Sequence, residues 1–249
     1  MPRFFVRQDQ IIEEEITVLG EDAHHIARSL RMAVGEELTV CDMQGNEYQG
    51  PIVRFDEDRA VVMRVVSCRA SVNEPPCVIR LFQALPKGDK MDTVIQKAVE
   101  CGVGEIIPFE SERCVVKAKA DGEARKTERR RRIATEAAKQ CGRSVIPDAR
   151  ATVSFSEMLT MAAQSDLGLF CYEGDGTRPL GAVLKEATEG GFSSVSVVIG
   201  SEGGFSIREA DAAKKAGLCM TGLGRRILRT ETASGFVLAC LCCATELQE

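Results

Sequence analysis

From residue 78 onward, the sequence alternates between short apolar runs rich in β-branched residues and longer stretches with helical spacing. The apolar runs are residues 78–82, 105–109, 167–171 and 195–199. Between the first two runs, apolar residues recur at helical spacing from Met91 to Val99, and Gly102 follows where a helix would end. A regular alternation of strands and helices predicts an α/β domain built on a parallel sheet.

The N-terminal part of the chain has a different pattern, which is mostly β. Residues 37–42, 48–53 and 60–66 are strand-like. One short helix is predicted near Asp22 to Leu30, with Asp22 as its N-cap. No parallel crossover is predicted here, so this part is expected to form a small β-barrel. The stiff sequence Asn73-Glu74-Pro75-Pro76 follows and predicts two domains, residues 1–72 and 73–249.

Charge is distributed unevenly along the chain. The net charge is −5, yet the segment from Arg113 to Arg143 holds eleven Lys or Arg and four Asp or Glu, a local net charge of +7. The remaining residues therefore carry −12. A basic segment in an acidic chain indicates a localised surface for nucleic acid, although a run such as Arg129 to Arg132 also suits a solvated helix face.

Membrane, secreted and metal-binding proteins are disfavoured. The longest apolar run, residues 235–244, is too short to cross a bilayer, and the first residues lack the apolar run of a signal peptide. Eleven cysteines at irregular spacing indicate reduced thiols in a cytoplasmic protein. Cys240 and Cys243 lack the two further ligands that zinc needs, and the adjacent His24 and His25 point to different helix faces, so no metal is predicted.

A glycine-rich loop follows the last of the apolar runs. Between Val198 and Ser206 the strand leads directly into three glycines, and Ser206 with Glu209 has the spacing of a capping box, which predicts a helix. Glycines let the backbone approach a ligand closely, and α/β proteins bind ligands at the carboxyl ends of parallel strands. The spacing differs from phosphate loops, dinucleotide fingerprints and nucleophile elbows. A glycine turn without a ligand is the alternative.

A second glycine-containing segment extends from Leu223 to Ala233. Three arginines surround a short apolar pair within it, and Thr230 is predicted to cap a final apolar helix. Arginines beside a helix N-terminus repel one another unless an anion or a carboxylate lies among them. The segment therefore indicates an anion site, with a solvated basic turn as the alternative.

Together these motifs resemble the RsmE family of bacterial 16S ribosomal RNA methyltransferases. The resemblance is carried by residues 199–206 and 223–233, by 87–91, 96–98 and 100–103, and by 137–143 with Pro147. One departure is Ser201, where the family usually has proline. The resemblance implies a SPOUT-type parallel sheet with a C-terminal trefoil knot and a PUA-like N-terminal β-barrel. It also implies a homodimer that uses S-adenosylmethionine to methylate N3 of a uridine in small-subunit RNA.

The resemblance further implies roles for individual residues. The cofactor is expected at Phe170, Tyr172, Glu173, Ile199, Gly200, Glu202, Gly203, Leu223, Gly224, Ile227 and Leu228. Arg229 is expected to stabilise negative charge on the uracil oxygens, and Glu231 to orient that arginine or accept the N3 proton. RNA contacts are expected at Arg3, Arg28, Arg31, Lys87, Lys97, Arg130, Arg131 and Arg143.

Two other functions remain open at this point. A non-catalytic RNA-binding ribosome assembly factor would suit the same two domains, although it has no need of two glycine loops. A nucleotide-binding α/β enzyme is disfavoured because phosphate-binding motifs are missing. Cofactor binding distinguishes the methyltransferase from the assembly factor.

Overall fold

A computed structural model describes residues 3–56, 60–117 and 121–247 of the chain. The chain forms two compact units. The N-terminal unit consists of the chain up to Glu74 together with residues 138–146, and the C-terminal unit consists of residues 75–137 and the chain from Pro147. The sequence-based division at residues 72 and 73 does not anticipate the second segment of the N-terminal unit.

The N-terminal unit is a curled β-sheet. Its strands are β1 (Arg3–Phe5), β2 (Ile11–Ile12), β3 (Glu15–Val18), β4 (Glu37–Cys41), β5 (Asn46–Phe55), β6 (Val61–Arg64) and β7 (Ser67–Ala70). They pair in the order β1-β4-β5-β6-β3-β2, and β7 also pairs with β5. The β1–β4 pair is parallel and the other described pairs are antiparallel. The prediction that this part of the chain has no parallel crossover is therefore wrong at this edge, where the chain returns from β1 to pair in parallel at β4.

Strand β5 bends the sheet around its core. Its first half pairs with β4 and β7, its second half pairs with β6, and the register shifts between Ile52 and Arg54. A Cβ atom at Gly50 would lie 1.8 Å from the carbonyl oxygen of Arg64, so only glycine allows the two backbones to approach. The core enclosed by the sheet contains Phe4, Val6, Ile16, Val18, Ala23, Ile26, Leu38, Val40, Ile52, Val61 and Met63.

The helix predicted near Asp22 exists, but its start was predicted wrongly. Helix α1 spans Gly20–His24 and continues as a π-helical turn over His25–Ser29. Leu19 is the N-cap, and Asp22 lies inside the first turn. The carboxylate of Asp22 instead accepts a hydrogen bond from Lys139 Nζ at 2.5 Å, a partner that local sequence cannot reveal.

The C-terminal unit is an α/β domain with a parallel sheet, as predicted. Its strands are β8 (Val78–Ala84), β9 (Glu105–Glu110), β10 (Asp148–Ala149), β11 (Val153–Ser154), β12 (Leu167–Cys171), β13 (Arg178–Pro179), β14 (Ser194–Ile199) and β15 (Cys219–Gly222). Its helices are α2 (Lys90–Glu100), α3 (Glu123–Cys141), α4 (Phe155–Ala162), α5 (Leu180–Gly190), α6 (Ile207–Lys215) and α7 (Thr230–Thr245), with the last turn of α3 grouped with the N-terminal unit. The strands pair in the order β10-β9-β8-β14-β12-β15-β13, and β11 also pairs with β9. Because β14, β12 and β15 are neighbours and parallel, the loops that follow them leave from the same edge.

Helix α7 packs against α2, α5 and β14. Its buried side includes Ala233, Val237, Leu238 and Leu241, whereas Thr232, Phe236, Ala239 and Cys243 form an exposed stripe. Phe236 is 40% exposed, so the helix has an apolar face that the single chain does not cover. Cys243 in this stripe is exposed, whereas Cys240 and Cys242 are half-buried.

No helix within the described ranges is both long enough and apolar enough to cross a membrane. The same residues contain no group of three or more His, Cys, Asp or Glu side chains placed to hold a metal ion.

Candidate active site

A cavity of about 800 Å³ opens at the carboxyl ends of β14, β12 and β15. Small-molecule sites typically measure about 300–1,000 Å³, and this edge of a parallel sheet is where α/β proteins bind ligands. Three segments supply most of its wall: residues 171–174 with Thr177, residues 199–205, and residues 222–230 with Ala233. Lys90 and Arg113 complete it. We call residues 200–204 the glycine loop and residues 223–229 the arginine loop.

The glycines of these loops serve two different purposes. Gly204 and Gly224 adopt φ values of +62° and +104°, and no heavy atom lies within 4 Å of a Cβ built at either position. Their backbone therefore borders open space that a ligand can enter. By contrast, a Cβ at Gly203 would lie 3.0 Å from Arg113 Cβ, and one at Gly200 would lie 3.2 Å from the Phe205 ring. Gly200 and Gly203 are thus needed for packing against the protein itself.

The glycine loop is fixed at its C-terminal end by the predicted capping box. Ser206 Oγ accepts a hydrogen bond from the Glu209 backbone at 3.2 Å, and the Glu209 carboxylate accepts one from the Ser206 backbone at 2.9 Å. Glu112 strengthens the cap from the neighbouring loop: its backbone donates to Glu209 Oε1 at 2.7 Å, and its carboxylate accepts from Ser206 Oγ at 2.6 Å. The cap is therefore shared between two loops.

Ser201 lies where the family that the sequence resembles usually has proline. Its backbone carbonyl accepts a hydrogen bond from the Gly204 backbone at 2.9 Å, which closes a tight turn without proline. The Ser201 hydroxyl is buried and has no hydrogen-bond partner among the described residues. A serine is thus compatible with the fold of this loop.

An aromatic cluster supports the glycine loop from below. The Phe205 ring lies 4.2 Å from that of Phe170, and it stacks on Phe109 at 6.3 Å. Phe170 is fully buried and does not line the cavity. The Phe170 ring therefore packs against Phe205, and the expectation that the Phe170 backbone contacts the cofactor stays a prediction.

A buried hydrogen-bond relay joins strand β8, the start of α7 and the glycine loop at the base of the cavity. Gln83, at the end of β8, donates from Nε2 to Thr230 Oγ1 at 2.9 Å, and Thr230 Oγ1 donates to the Gly200 carbonyl at 2.6 Å. Gln83 is 0% and Thr230 4% exposed. The prediction that Thr230 caps α7 is wrong: Arg229 is the N-cap, and the threonine hydroxyl is used in this relay.

Lys90 links the glycine loop to the start of α7. Its Nζ lies 2.8 Å from Glu202 Oε1 and 3.5 Å from Glu231 Oε2. Burial works to raise the pKa of Glu202, but the hydrogen bonds from Lys90 and from the Lys87 backbone outweigh it and hold that pKa below its ordinary value. Glu202 is therefore a charged residue at neutral pH. Glu231 contacts Lys90 rather than Arg229, so the expectation that it orients Arg229 is not supported.

Three arginines of the arginine loop stand exposed at the cavity. Arg225, Arg226 and Arg229 all line it, and none forms an ion pair or a side-chain hydrogen bond within the described part of the chain. Ile227 between them is 83% exposed. Guanidinium groups without carboxylate partners at the edge of a cavity are suited to bind an anionic or electron-rich substrate.

The structure brings most of the predicted cofactor residues together. The cavity is lined by Tyr172, Glu173, Ile199, Gly200, Glu202, Gly203, Leu223, Gly224, Ile227 and Leu228, and Arg229 lies beside them. Gly174 also borders the cavity, and a Cβ there would lie 2.1 Å from the Tyr172 ring. The close fit of Gly174 against Tyr172 fixes the side of the wall formed after β12.

The residues predicted to bind RNA fall into two groups. Arg28, Arg31, Lys87, Lys97 and Arg131 are exposed. Arg3, Arg130 and Arg143 are not free to contact a phosphate, because their guanidinium groups pair with Glu47, Glu123 and Glu74. Only 6% of the Arg130 and Arg143 side chains is exposed, so for these residues the RNA-binding prediction is replaced by a structural role.

Sequence reasoning missed Gln83, Lys90, Arg113 and Thr177 as parts of the site. Gln83 had one usable indication, a polar residue directly after the apolar pair Leu81-Phe82 near the end of a strand. Lys90 lies within the motif at residues 87–91, but the motif itself does not indicate a role for this lysine. Arg113 donates from its guanidinium to the Gly203 carbonyl at 3.1 Å, and nothing in its own segment identifies this partner 90 residues away.

Two family models match the chain. One is described as an RNA methyltransferase domain and matches residues 73–242. The other is described as an RNA methyltransferase PUA domain and matches residues 18–62. Together they cover most of both units.

Individual relatives are similar over almost the whole chain. Ribosomal RNA small subunit methyltransferase E of Bacillus subtilis is 33% identical, with 99% of this chain and 98% of the relative covered. The protein of the same name from Synechocystis is 31% identical, with 95% and 76% covered. Among solved structures, ribosomal RNA small subunit methyltransferase E of Neisseria gonorrhoeae, bound to S-adenosyl methionine, superposes with a TM-score of 0.84 at 28% identity, covering 98% of this chain and 97% of that one.

Proposed function

Because the chain belongs to the RsmE family of ribosomal RNA small subunit methyltransferases, we propose that it methylates N3 of a uridine in 16S ribosomal RNA, using S-adenosylmethionine. The observation that carries this proposal is the cavity at the carboxyl ends of β14, β12 and β15, walled by two glycine-containing loops and bordered by unpaired arginines. A protein that only binds RNA has no need of such a cavity, so the assembly-factor alternative is disfavoured.

The cavity fits an adenosyl cofactor in chemistry as well as size. Adenine and ribose are recognised by backbone amides and carbonyls, and Gly204 and Gly224 leave backbone next to open space. Ile199, Leu223 and Leu228 add apolar wall. The residues after β12, β14 and β15 would hold the cofactor, which supplies an activated methyl group when bound.

The contribution of the chain is then to orient the uracil and to stabilise charge. Removal of the N3 proton leaves negative charge on the uracil oxygens, which a positioned guanidinium stabilises. Arg229 is suited to this task because it lines the cavity, is exposed and has no carboxylate partner among the described residues. We assign Glu231 to holding Lys90 beside the glycine loop, given their 3.5 Å ion pair.

RNA binding is assigned to exposed basic residues on both units. Helix α3 presents Arg125, Lys126, Arg131 and Arg132 to solvent, and Arg28 and Arg31 are exposed in the PUA-like unit. Phosphate contacts from such residues position RNA without reading its sequence. The small ribosomal subunit or its RNA is thus the proposed partner.

A homodimer with a knotted C-terminal domain is part of the same proposal. The exposed stripe of α7, with Phe236 40% exposed, supports pairing with a second copy, because a helix with apolar residues on two sides needs two packing partners. Family membership supports two further parts of the proposal, a C-terminal trefoil knot and action in the cytoplasm.

The experiment that tests the function is methyl transfer in vitro. Purified protein, S-adenosylmethionine labelled in its methyl group, and either free 16S RNA or assembled small subunits lacking the modification are incubated, and the RNA is digested and analysed by mass spectrometry. We expect labelled N3-methyluridine at one position. Binding of RNA without transfer would instead support the assembly factor, and label on another atom would refute the proposed specificity.

A further inference from the structure

The side chain of Gln83 presents a problem that packing alone does not explain. It is fully buried in strand β8, and within the described ranges its Oε1 atom has no hydrogen-bond partner. A buried acceptor without a partner lowers stability, and an apolar residue of similar size would avoid that loss. The hydrogen bonds that Nε2 donates therefore account for an amide at this position.

The nitrogen of this amide makes well-defined contacts. Nε2 donates to the Ala84 carbonyl at 3.0 Å and to Thr230 Oγ1 at 2.9 Å, with the Gly200 carbonyl at 3.4 Å. Two of these three neighbours are carbonyl oxygens, which only accept, so the orientation of the amide is fixed by its surroundings. With the amide reversed, Oε1 would face the carbonyl oxygens of Ala84 and Gly200.

The direction of each hydrogen bond in the relay is also fixed. Thr230 has one hydroxyl proton, and this proton goes to the Gly200 carbonyl at 2.6 Å. The hydroxyl oxygen is then free to accept, and Gln83 Nε2 is its donor. The relay therefore requires a donor at position 83 and a hydroxyl at position 230.

The relay ends at the residue where the glycine loop begins. Gly200 lines the cavity, and Thr230 lines it from the first turn of α7. The loop and the helix are 30 residues apart in sequence, and the Thr230–Gly200 hydrogen bond fixes their separation. A change in this separation alters the width of the cavity at its base.

We propose that Gln83 is a positioning residue, whose buried amide acts through Thr230 on the Gly200 carbonyl to set the shape of the cofactor cavity. Gln83 does not line the cavity, so it acts only through its partners. The proposal rests on the function proposed above, because it assumes that S-adenosylmethionine binds in this cavity.

The test measures binding of S-adenosylmethionine by calorimetry to Gln83→Leu and Gln83→Glu variants of the full chain. Gln83→Leu removes the hydrogen bonds to the Ala84 carbonyl and to Thr230, and loss of the one to Thr230 is expected to weaken binding about tenfold. Gln83→Glu introduces a group of the same shape, which donates only while protonated. Burial raises the pKa of the introduced carboxyl. The affinity of the Gln83→Glu variant for S-adenosylmethionine, relative to wild type, is therefore expected to recover as pH falls from about 8 to about 5.

A matched control removes a different buried hydrogen bond from the same sheet. Ser196 on β14 is fully buried, and its hydroxyl lies 2.7 Å from that of Ser165, outside the relay. Ser196→Ala is expected to lower thermal stability while cofactor affinity stays unchanged. Thr230→Val and Thr230→Ser provide the second pair, of which only the valine variant is expected to lose affinity.

The outcomes separate the two proposals. If wild type does not bind S-adenosylmethionine, the proposed function fails and the relay proposal fails with it. If wild type binds and both Gln83 variants bind as tightly as wild type, the relay is overturned. The relay is also overturned if Gln83→Leu and Gln83→Glu are weakened to the same extent at every pH. Should both Gln83 variants fail to fold, the Thr230 pair decides: equal affinity of the valine and serine variants overturns the relay, and loss in the valine variant alone supports it.

Discussion

Replacing Gly203 by alanine is expected to weaken cofactor binding by displacing the glycine loop. The new Cβ would lie 3.0 Å from Arg113 Cβ and 3.2 Å from the Arg113 carbonyl oxygen. Ordinary contacts between carbon atoms are about 3.5–4.0 Å, so one side has to move by about half an ångström. The new side chain therefore meets the protein itself and not the open cavity.

The size of the effect depends on how far the backbone at Gly203 and the segment around Arg113 can move apart. Arg113 donates to the Gly203 carbonyl at 3.1 Å, and Glu112 next to it is held by Glu209 at 2.7 Å. Overpacking of this kind typically costs about 1–3 kcal/mol. If the glycine loop absorbs the displacement, the Kd for S-adenosylmethionine rises about 5- to 150-fold.

Calorimetry with S-adenosylmethionine measures the change directly. Gly181→Ala is the matched control, because no heavy atom lies within 4 Å of a Cβ there and the residue is in helix α5. A second variant, Gly203→Ala with Arg113→Gly, removes the closest contact and is expected to recover affinity relative to Arg113→Gly alone. Unchanged affinity in Gly203→Ala would refute the packing argument.

Four further predictions concern turnover, RNA binding, assembly and acid stability. Arg229→Ala is expected to reduce kcat/KM on small subunits by about 30-fold, near 2 kcal/mol, with cofactor affinity unchanged. Removing Arg131 and Arg132 together is expected to reduce the log–log salt slope of RNA binding by about 1 to 2 units. Phe236→Asp is expected to convert a dimer to a monomer in sedimentation equilibrium. Hydrogen bonds from two serines lower the pKa of Asp166 to about 2, so its stabilising effect is present above about pH 4 and lost as pH falls toward 2; urea unfolding of Asp166→Asn measures it.

Each of these predictions has a contradicting result. Near-normal turnover of Arg229→Ala would remove this arginine from the chemistry. An unaltered salt slope would leave the basic face of α3 simply solvated. A wild-type species near 27 kDa would rule out the dimer. If the stability difference between wild type and Asp166→Asn persists unchanged down to pH 2, Asp166 is not the titrating group.

The sequence was sufficient to predict the longer strands of the parallel sheet. Strands β8, β9, β12 and β14 are buried by the sheet and its helices, and burial on both faces requires continuous apolar runs that are visible in the sequence. The two-residue strands β10, β11 and β13 have no such pattern, because two residues cannot display a period. They form where longer neighbours already provide hydrogen-bonding partners.

The backbone part of the site was predictable, and its side-chain part was not. Glycines and a capping box are local features, so both loops could be found without a structure. By contrast, Gln83 and Thr230 are 147 residues apart, and their hydrogen bond depends on the completed fold. The same limit explains the error at Arg130 and Arg143, where a basic residue looks available for RNA until Glu123 and Glu74 are brought beside it.

The discontinuous N-terminal unit has a consequence for the order in which the chain is made. Glu74 closes that unit by accepting hydrogen bonds from Arg143, Ser144 and the Val145 backbone, and Asp22 is paired with Lys139. These partners follow Glu74 by about 70 residues, which a ribosome adds in about 4 to 14 s at typical elongation rates of about 5–20 residues per second. During that interval the carboxylates of Asp22 and Glu74 in the N-terminal unit have not yet met Lys139 and Arg143. The N-terminal unit therefore completes its folding only after the first strands and helices of the C-terminal unit have been synthesised.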